Sequence, residues 1–232
     1  MRKNKLFAVI HVEDEKQAHR NAVVALNNGA DGIFLINHRV SVLELIRSYR
    51  YVRERHKASW IGLNLLGFSL TQAVHNKRLG DSLPRDIQAL WCDDVRYTEG
   101  LGPERAVYFA DRLHFELQVA TNHALLFGGY AFKYQEPVSD LVLGARLLAP
   151  HVGVITTSGP ETGTPPTTEK IELIRKGMGD GAKLAVASGM TPENVDPFLD
   201  LVDYFLVATG ISESFTELDP VRVRLMADKM RR

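Results

Sequence analysis

Eight short apolar runs alternate along this chain with segments whose apolar residues recur at helical spacing. The fifth run is the least regular, because Gly128 and Gly129 interrupt it and residues 130–134 could continue it. Strand and helix in alternation indicate a parallel sheet, and eight such units close most naturally into a barrel. We therefore predict an α/β fold, a single (β/α)8 TIM barrel over residues 1–232. The predicted strands are residues 6–11, 32–37, 60–65, 87–92, 124–127, 152–156, 183–187 and 204–208.

Local signals mark several helix starts. Ser41 with Glu44 three residues later forms a capping box, while Thr191-Pro192 and Asp219-Pro220 each place a capping side chain before a proline in the first helical position. A doubly wound open sheet is the competing architecture, but no Gly-x-Gly-x-x-Gly follows the first strand. The polar stretch 93–102, after the fourth strand, is a candidate lid.

Composition narrows the class of partner. Lys plus Arg and Asp plus Glu number 28 each, so the chain has no general electrostatic attraction for nucleic acid. We find no run of roughly 18 apolar residues and expect no membrane insertion. A single cysteine, Cys92, excludes an intrachain disulfide and fits a reducing cytoplasm. Barrels of this size often self-associate through their outer helices, which makes a homo-oligomer a further expectation.

The seventh and eighth predicted strands both end in a hydroxyl residue followed by glycine. These are Ser188-Gly189 and Thr209-Gly210, and adjacent barrel strands that end this way present backbone N–H groups side by side. With the start of a helix after Thr191, they would form a phosphate site. The alternative is that both glycines only permit positive φ in tight turns. We predict a phosphorylated small molecule as the ligand.

Other polar residues follow strand ends, where a barrel builds its active site. Lys133 is a candidate proton-transfer group or fixed cation, since burial after an apolar strand lowers a lysine pKa. Asp93 and Asp94 are candidate acid–base groups and carry oxygen ligands of the kind that Mg²⁺ takes, although at most one should face the mouth. We predict no other cofactor, and the histidines have no metal-site spacing. The residues expected to orient the substrate are His11, Asn64 and Thr162.

Four segments of the second half read SGPETGTPP at 158–166, SGMTPENV at 188–195, LVATG at 206–210 and LDPVRV at 218–223. Together these segments resemble the BtpA/SgcQ family. The resemblance implies a TIM barrel related to the ribulose-phosphate-binding barrels, and it carries the family's third and fifth loops onto Asn64 and Lys133. The family takes its name from an accessory role in photosystem I biogenesis.

The first half departs from that family. A proline-rich turn is expected after the first strand, where this chain has HVED at 11–14, and a Glu-Asn pair is expected where it has Asn37-His38. The end of the fourth strand, WCDD at 91–94, departs as well. Together these features predict a retained phosphate site with a different reacting group.

We therefore expect an enzyme that acts on a small phosphorylated metabolite, such as a sugar phosphate or a phosphoribosyl compound. Lyase, isomerase and transferase chemistry all fit the predicted residues. The alternative is a non-catalytic accessory or assembly factor that binds a phosphorylated ligand or a protein partner.

Overall fold

The computed structural model describes residues 4–66 and 83–231. Eight parallel strands pair in sequence order, and β8 pairs with β1 to close the barrel, as predicted. The strands are β1 (Lys5–His11), β2 (Gly32–Ile36), β3 (Ile61–Asn64), β4 (Ala89–Cys92), β5 (Leu125–Gly129), β6 (Val154–Thr157), β7 (Leu184–Ala187) and β8 (Tyr204–Val207).

Six α-helices lie within the described residues. The capping box of Ser41 and Glu44 is present, and Asp219 caps the last helix with Pro220 in its first turn, as predicted. No helix in the described ranges is long and apolar enough to cross a membrane. The helices are α1 (Glu15–Asn27), α2 (Val42–Arg55), α3 (Pro103–Ala120), α4 (Leu141–Leu148), α5 (Thr168–Met178) and α6 (Pro220–Lys229).

The prediction of a helix that starts at Thr191-Pro192 is wrong. The chain forms a turn there, in which Thr191 Oγ1 accepts from the Glu193 amide at 3.2 Å and Asn194 Oδ1 accepts from the Thr191 amide at 2.8 Å. Only the three-residue 3₁₀ turn Asp196–Phe198 follows. These side chains satisfy the amides locally, and Pro197 brings no N–H for a helix to continue.

The two glycines that interrupt the fifth apolar run belong to β5, and the strand ends with them. A Cβ at position 129 would overlap the carbonyl oxygen of Asp93, and a Cβ at position 128 would overlap the side chains of Val95 and Val152. The segment after β4 therefore packs directly on the end of β5. Glycine is required at both positions for this close approach.

Aromatic side chains fill the inside of the barrel. The rings of Phe7 and Trp60 stack with centroids 4.1 Å apart, and Phe34 packs edge-on against Phe7 and Phe127. Gly62 leaves room for the Phe34 ring. Because the interior is closed by these rings, a ligand has access only to the ends of the barrel.

Candidate functional site

A cleft opens at the carboxyl end of the barrel, with a volume of about 640 Å³ that includes its open mouth. The loops after β5, β6, β7 and β8 form most of its wall, and the ends of β1, β2 and β4 complete it. This is the end at which barrels carry their active sites. The polar, glycine and aromatic residues of the wall are His11, His38, Trp91, Lys133, Thr162, Gly163, Ser188, Gly189, Thr209, Gly210 and Phe215.

The cleft gathers most of the predicted site residues, although their roles in binding and catalysis stay predictions. Asn64, Asp93 and Asp94 lie outside its wall. Trp91 and Phe215 belong to the wall and were not predicted. An inward-facing position on a strand end was the available signal for Trp91, whereas no local signal marks Phe215.

Lys133 dominates the electrostatics of the cleft. Its ammonium donates to Thr162 Oγ1 at 3.2 Å, and its backbone amide donates to Ser158 Oγ at 2.8 Å. Among the described residues that line the cleft, Lys133 is the only lysine or arginine, and none is an aspartate or glutamate. The wall of the cleft therefore presents a positive charge and contributes no carboxylate of its own, which favours an anionic ligand.

Two neutral histidines stand beside this lysine. The pKa of His11 is lowered to about 4, chiefly by burial and in smaller part by the charges of His38, Lys133 and Arg39, while the bond to the Phe215 carbonyl opposes the shift. Burial also lowers the pKa of His38, again with a contribution from Lys133. His11 Nδ1 lies 2.8 Å from the carbonyl oxygen of Phe215, so we assign the proton to Nδ1 and leave Nε2 as an acceptor. Both rings are uncharged at neutral pH.

Asn64 and Asp93 form a pair beside the cleft. Asn64 Nδ2 donates to Asp93 Oδ1 at 3.0 Å, linking the ends of β3 and β4. Burial raises the pKa of Asp93, while the bond from Asn64 and the charge of Lys133 oppose that rise. Lys133 is therefore close enough to Asp93 for the two charges to interact.

Asp94 bonds elsewhere. It is exposed, and its Oδ1 accepts from the Arg96 amide at 2.6 Å and from Gln135 Nε2 at 3.2 Å. In the described part of the chain, no three His, Cys, Asp or Glu side chains are grouped so that they could hold a metal ion. Asp93 and Asp94 therefore bond to different partners. Binding of Mg²⁺ between them stays a prediction.

The loops after β7 and β8 owe their glycines to packing. Gly189 has φ 71°, and a Cβ there would overlap the backbone of Thr164 and Pro165. Gly210 has no positive φ, but a Cβ would overlap the carbonyl oxygen of Met190. A tight turn thus accounts for Gly189 only in part and for Gly210 not at all, since close approach of neighbouring loops requires both glycines.

The same loops still offer hydrogen-bond donors to a ligand. Within the described residues, the backbone amides of Gly189 and Met190 donate to no other group of the chain. Ser188 has φ 88°, and its hydroxyl donates to the carbonyl of Glu161 at 3.2 Å and accepts from the Gly163 amide at 3.1 Å. The expected helix dipole after Thr191 is missing, so an anion here would depend on backbone amides, hydroxyls and Lys133.

Lys170 stabilises two loops of the cleft wall. The sequence did not predict this role, because a lysine in the first turn of α5 is expected to be solvated. Its ammonium donates to the carbonyl oxygens of Ala131 at 2.5 Å and Ser158 at 2.7 Å. Burial lowers its pKa to about 8. Lys170 thereby joins the loops after β5 and β6, and Ala131 lies two residues before Lys133.

No family model matches the chain, and no curated protein matches it. Solved structures do. Phosphoribosyl anthranilate isomerase from Thermus thermophilus superposes with a TM-score of 0.64 at 12% identity, covering 98% of both chains. The fold is a TIM barrel. Thiamine phosphate pyrophosphorylase from Pyrococcus furiosus gives 0.62 at 10% identity, covering 99% of this chain and 96% of that one.

The alpha subunit of tryptophan synthase from Legionella pneumophila is a third similar structure, with a TM-score of 0.68 at 13% identity, covering 99% of this chain and 94% of that one. Identities this low show the shared fold alone. Membership of the BtpA/SgcQ family, expected from the sequence, stays a prediction.

Proposed function

We propose that this protein is an enzyme that acts on a small phosphorylated metabolite bound in the cleft. The observation that carries the proposal is the composition of the wall, in which Lys133 stands among hydroxyls and backbone amides with no carboxylate among the described lining residues. A dianionic phosphate would pair directly with that ammonium, whereas a neutral or cationic ligand would leave it without an anion inside the cleft. The phosphate would lie on the loops that carry Ser188, Gly189, Thr209 and Gly210.

The names of the similar structures support this proposal. Two of the three are named for a phosphorylated compound, namely phosphoribosyl anthranilate and thiamine phosphate. A shared fold does not fix function, so the argument rests on the cleft itself. We also propose membership of the BtpA/SgcQ family and a reducing cytoplasm as the compartment.

The groups around the cleft suit proton transfer and stabilisation of developing negative charge. Lys133 supplies a fixed cation or an acid, and His11, neutral with Nε2 unprotonated, supplies an acceptor. Asp93, held by Asn64, keeps a carboxylate close enough to interact with the Lys133 ammonium. This set of residues is compatible with lyase, isomerase or transferase chemistry.

Thermal unfolding against a panel of phosphorylated metabolites tests the proposal, with inorganic phosphate and each unphosphorylated parent as controls. Binding to the folded state raises the unfolding midpoint by mass action. We expect a shift with at least one phosphorylated compound and none with its parent. Lys133→Met should reduce that shift, whereas Lys176→Met, at an exposed position of α5, should not.

Turnover then separates an enzyme from an accessory protein. With a ligand from the panel in hand, conversion by the wild-type protein that is lost in Lys133→Met supports the enzyme. Tight binding without conversion under any condition, together with an unchanged cellular role of Lys133→Met, would contradict it and favour an accessory factor.

A further inference from the structure

Phe215 is an exposed aromatic residue on the wall of the cleft. It lies in the loop after β8, which closes on itself through an antiparallel bridge between Ser212 and Leu218. The residue is 41% exposed, although its ring contacts His11 with centroids 4.2 Å apart and lies 4.5 Å below the Arg39 guanidinium. A large apolar side chain left this exposed in a cleft is a candidate ligand contact.

The loop holds Phe215 in a fixed place. The carbonyl oxygen of Thr216 accepts from Gln17 Nε2 at 2.6 Å and from Asn21 Nδ2 at 3.1 Å, and the Leu218 amide donates to Asn21 Oδ1 at 2.7 Å. The carbonyl of Phe215 itself bonds to His11. The ring is thus preorganised, and a ligand would lose little free energy in ordering it.

The rest of the wall is poor in groups that bind sugar hydroxyls. Among the described lining residues there is no Asp, Glu, Asn or Gln, the side chains that accept and donate several hydrogen bonds to a polyol. In their place stand Trp91, His38 and aliphatic side chains such as Ile36 and Leu206. Buried against the apolar members of this set, sugar hydroxyls would lose hydrogen bonds to water, whereas a planar apolar ring would not.

We propose that the ligand carries, besides its phosphate, a planar apolar ring that packs against Phe215. The proposal rests on the proposed function, because the phosphate sets the other end of the ligand. It narrows the substrate class to phosphorylated compounds with an aromatic or other unsaturated ring. A simple sugar phosphate lacks such a group.

The test compares probes that share a phosphate. Calorimetric titration at pH 7 would use inorganic phosphate, ribose 5-phosphate and phenyl phosphate, and saturation-transfer NMR would detect benzamide as a ring without phosphate. The variants are Phe215→Leu and, as a matched control, Phe115→Leu, since Phe115 is 68% exposed on α3. Thermal unfolding would check that each variant is folded.

We expect phenyl phosphate to bind the wild-type protein about tenfold more tightly than ribose 5-phosphate, since an aromatic contact together with burial of the ring is worth about 1.4 kcal/mol or more. Phe215→Leu should remove most of that preference and leave the affinity for inorganic phosphate within about twofold, with no change in Phe115→Leu. Ribose 5-phosphate binding as tightly as phenyl phosphate to the wild-type protein would overturn the proposal without any variant. Equal weakening of all three probes by Phe215→Leu would also overturn it.

Failure of the proposed function would look different. If no phosphate-containing probe binds, the phosphate site is absent. The benzamide signal then shows by itself whether Phe215 forms a site for a planar ring, called the ring site below. Benzamide contact that is lost in Phe215→Leu but kept in Phe115→Leu would support the ring site. No benzamide contact would overturn it as well.

Discussion

The side-chain amide of Asn64 donates a 3.0 Å hydrogen bond to the carboxylate of Asp93. This bond opposes the rise in the pKa of Asp93 that burial causes. Burial raises the pKa of Asp93 above its ordinary value of 3.8, while Asn64 and Lys133 oppose the rise. A folded-state pKa above the unfolded one means that the protonated form favours folding. The stability it contributes is present below pH 3.8 and is lost as the pH rises through the folded pKa, so the charged Asp93 is a cost at neutral pH.

Asp93→Asn should therefore raise the thermal unfolding midpoint at pH 7, by about 2 °C, because it removes a buried charge and keeps an acceptor for Asn64. Because the proposed function uses the Asp93 carboxylate, the same change should also reduce turnover, and the carboxylate would then be retained for function at the expense of stability. Calorimetry of Asp93→Asn beside Asp180→Asn, at an exposed position, measures the effect. A lower midpoint for Asp93→Asn alone would show that the carboxylate is structural.

His11 predicts a loss of stability in mild acid. Its pKa is lowered to about 4 in the folded protein, whereas an unfolded histidine takes up a proton near pH 6.5. The stability from burying the neutral ring is thus present above pH 6.5 and is lost as the pH falls towards 4. Between pH 7 and 5 this should cost about 1–2 kcal/mol.

The variant that isolates this effect is His11→Asn, because an asparagine amide can still donate to the Phe215 carbonyl. Urea unfolding at pH 7 and pH 5 should show a smaller loss for His11→Asn than for the wild-type protein. His56, whose pKa is also lowered, contributes equally to both proteins. Identical losses in the two proteins would refute a buried neutral His11.

Gly210→Ala tests the close packing of the loops after β7 and β8. The new Cβ would overlap the carbonyl oxygen of Met190, so the loops must separate, at a cost of about 1–3 kcal/mol. Gly153→Ala is the control, since its φ is also not positive and its Cβ would meet the nearest atom at 3.3 Å. Chemical denaturation should show the larger loss for Gly210→Ala. Equal, small losses would mean that the loops adjust freely.

The fold could be predicted from the sequence because its signal is local and repeated. Each strand is a short apolar run, and caps such as Ser41 and Asp219 depend only on neighbouring residues. The missing helix after β7 was mispredicted from Thr191-Pro192, since the competing turn depends on Asn194 and Pro197 further along. The ending of β5 depends on Asp93, which lies far away in sequence and packs on Gly129.

The cleft was predictable only where residues follow strand ends, as Lys133 and Ser188 do. Phe215 owes its position to Gln17 and Asn21, nearly two hundred residues away, and such a contact leaves no pattern in the sequence. Lys170 is buried by the loops after β5 and β6, although its helix position reads as exposed.

Lys170→Met tests the support that this lysine gives to the cleft. Two carbonyl oxygens, those of Ala131 and Ser158, would lose a charged donor, at a cost of about 1–3 kcal/mol. Lys133 follows Ala131 closely, so affinity for the phosphorylated ligand should fall as well. Denaturant unfolding and titration of Lys170→Met beside the exposed Lys176→Met check both effects. Unchanged stability and affinity in Lys170→Met would show that the loops after β5 and β6 keep their conformation without this lysine.

The most direct test of the phosphate site is a titration of the ¹⁵N-labelled protein, 25.9 kDa in mass, with inorganic phosphate followed by amide NMR. Phosphate in the cleft should shift the amide signals of Gly189, Met190, Thr209 and Gly210 in a saturable way, and should leave that of Gly153, at the opposite end of the barrel, unchanged. Lys133→Met should weaken the response. Shifts confined to other surfaces, or none at all, would contradict a phosphate site in this cleft.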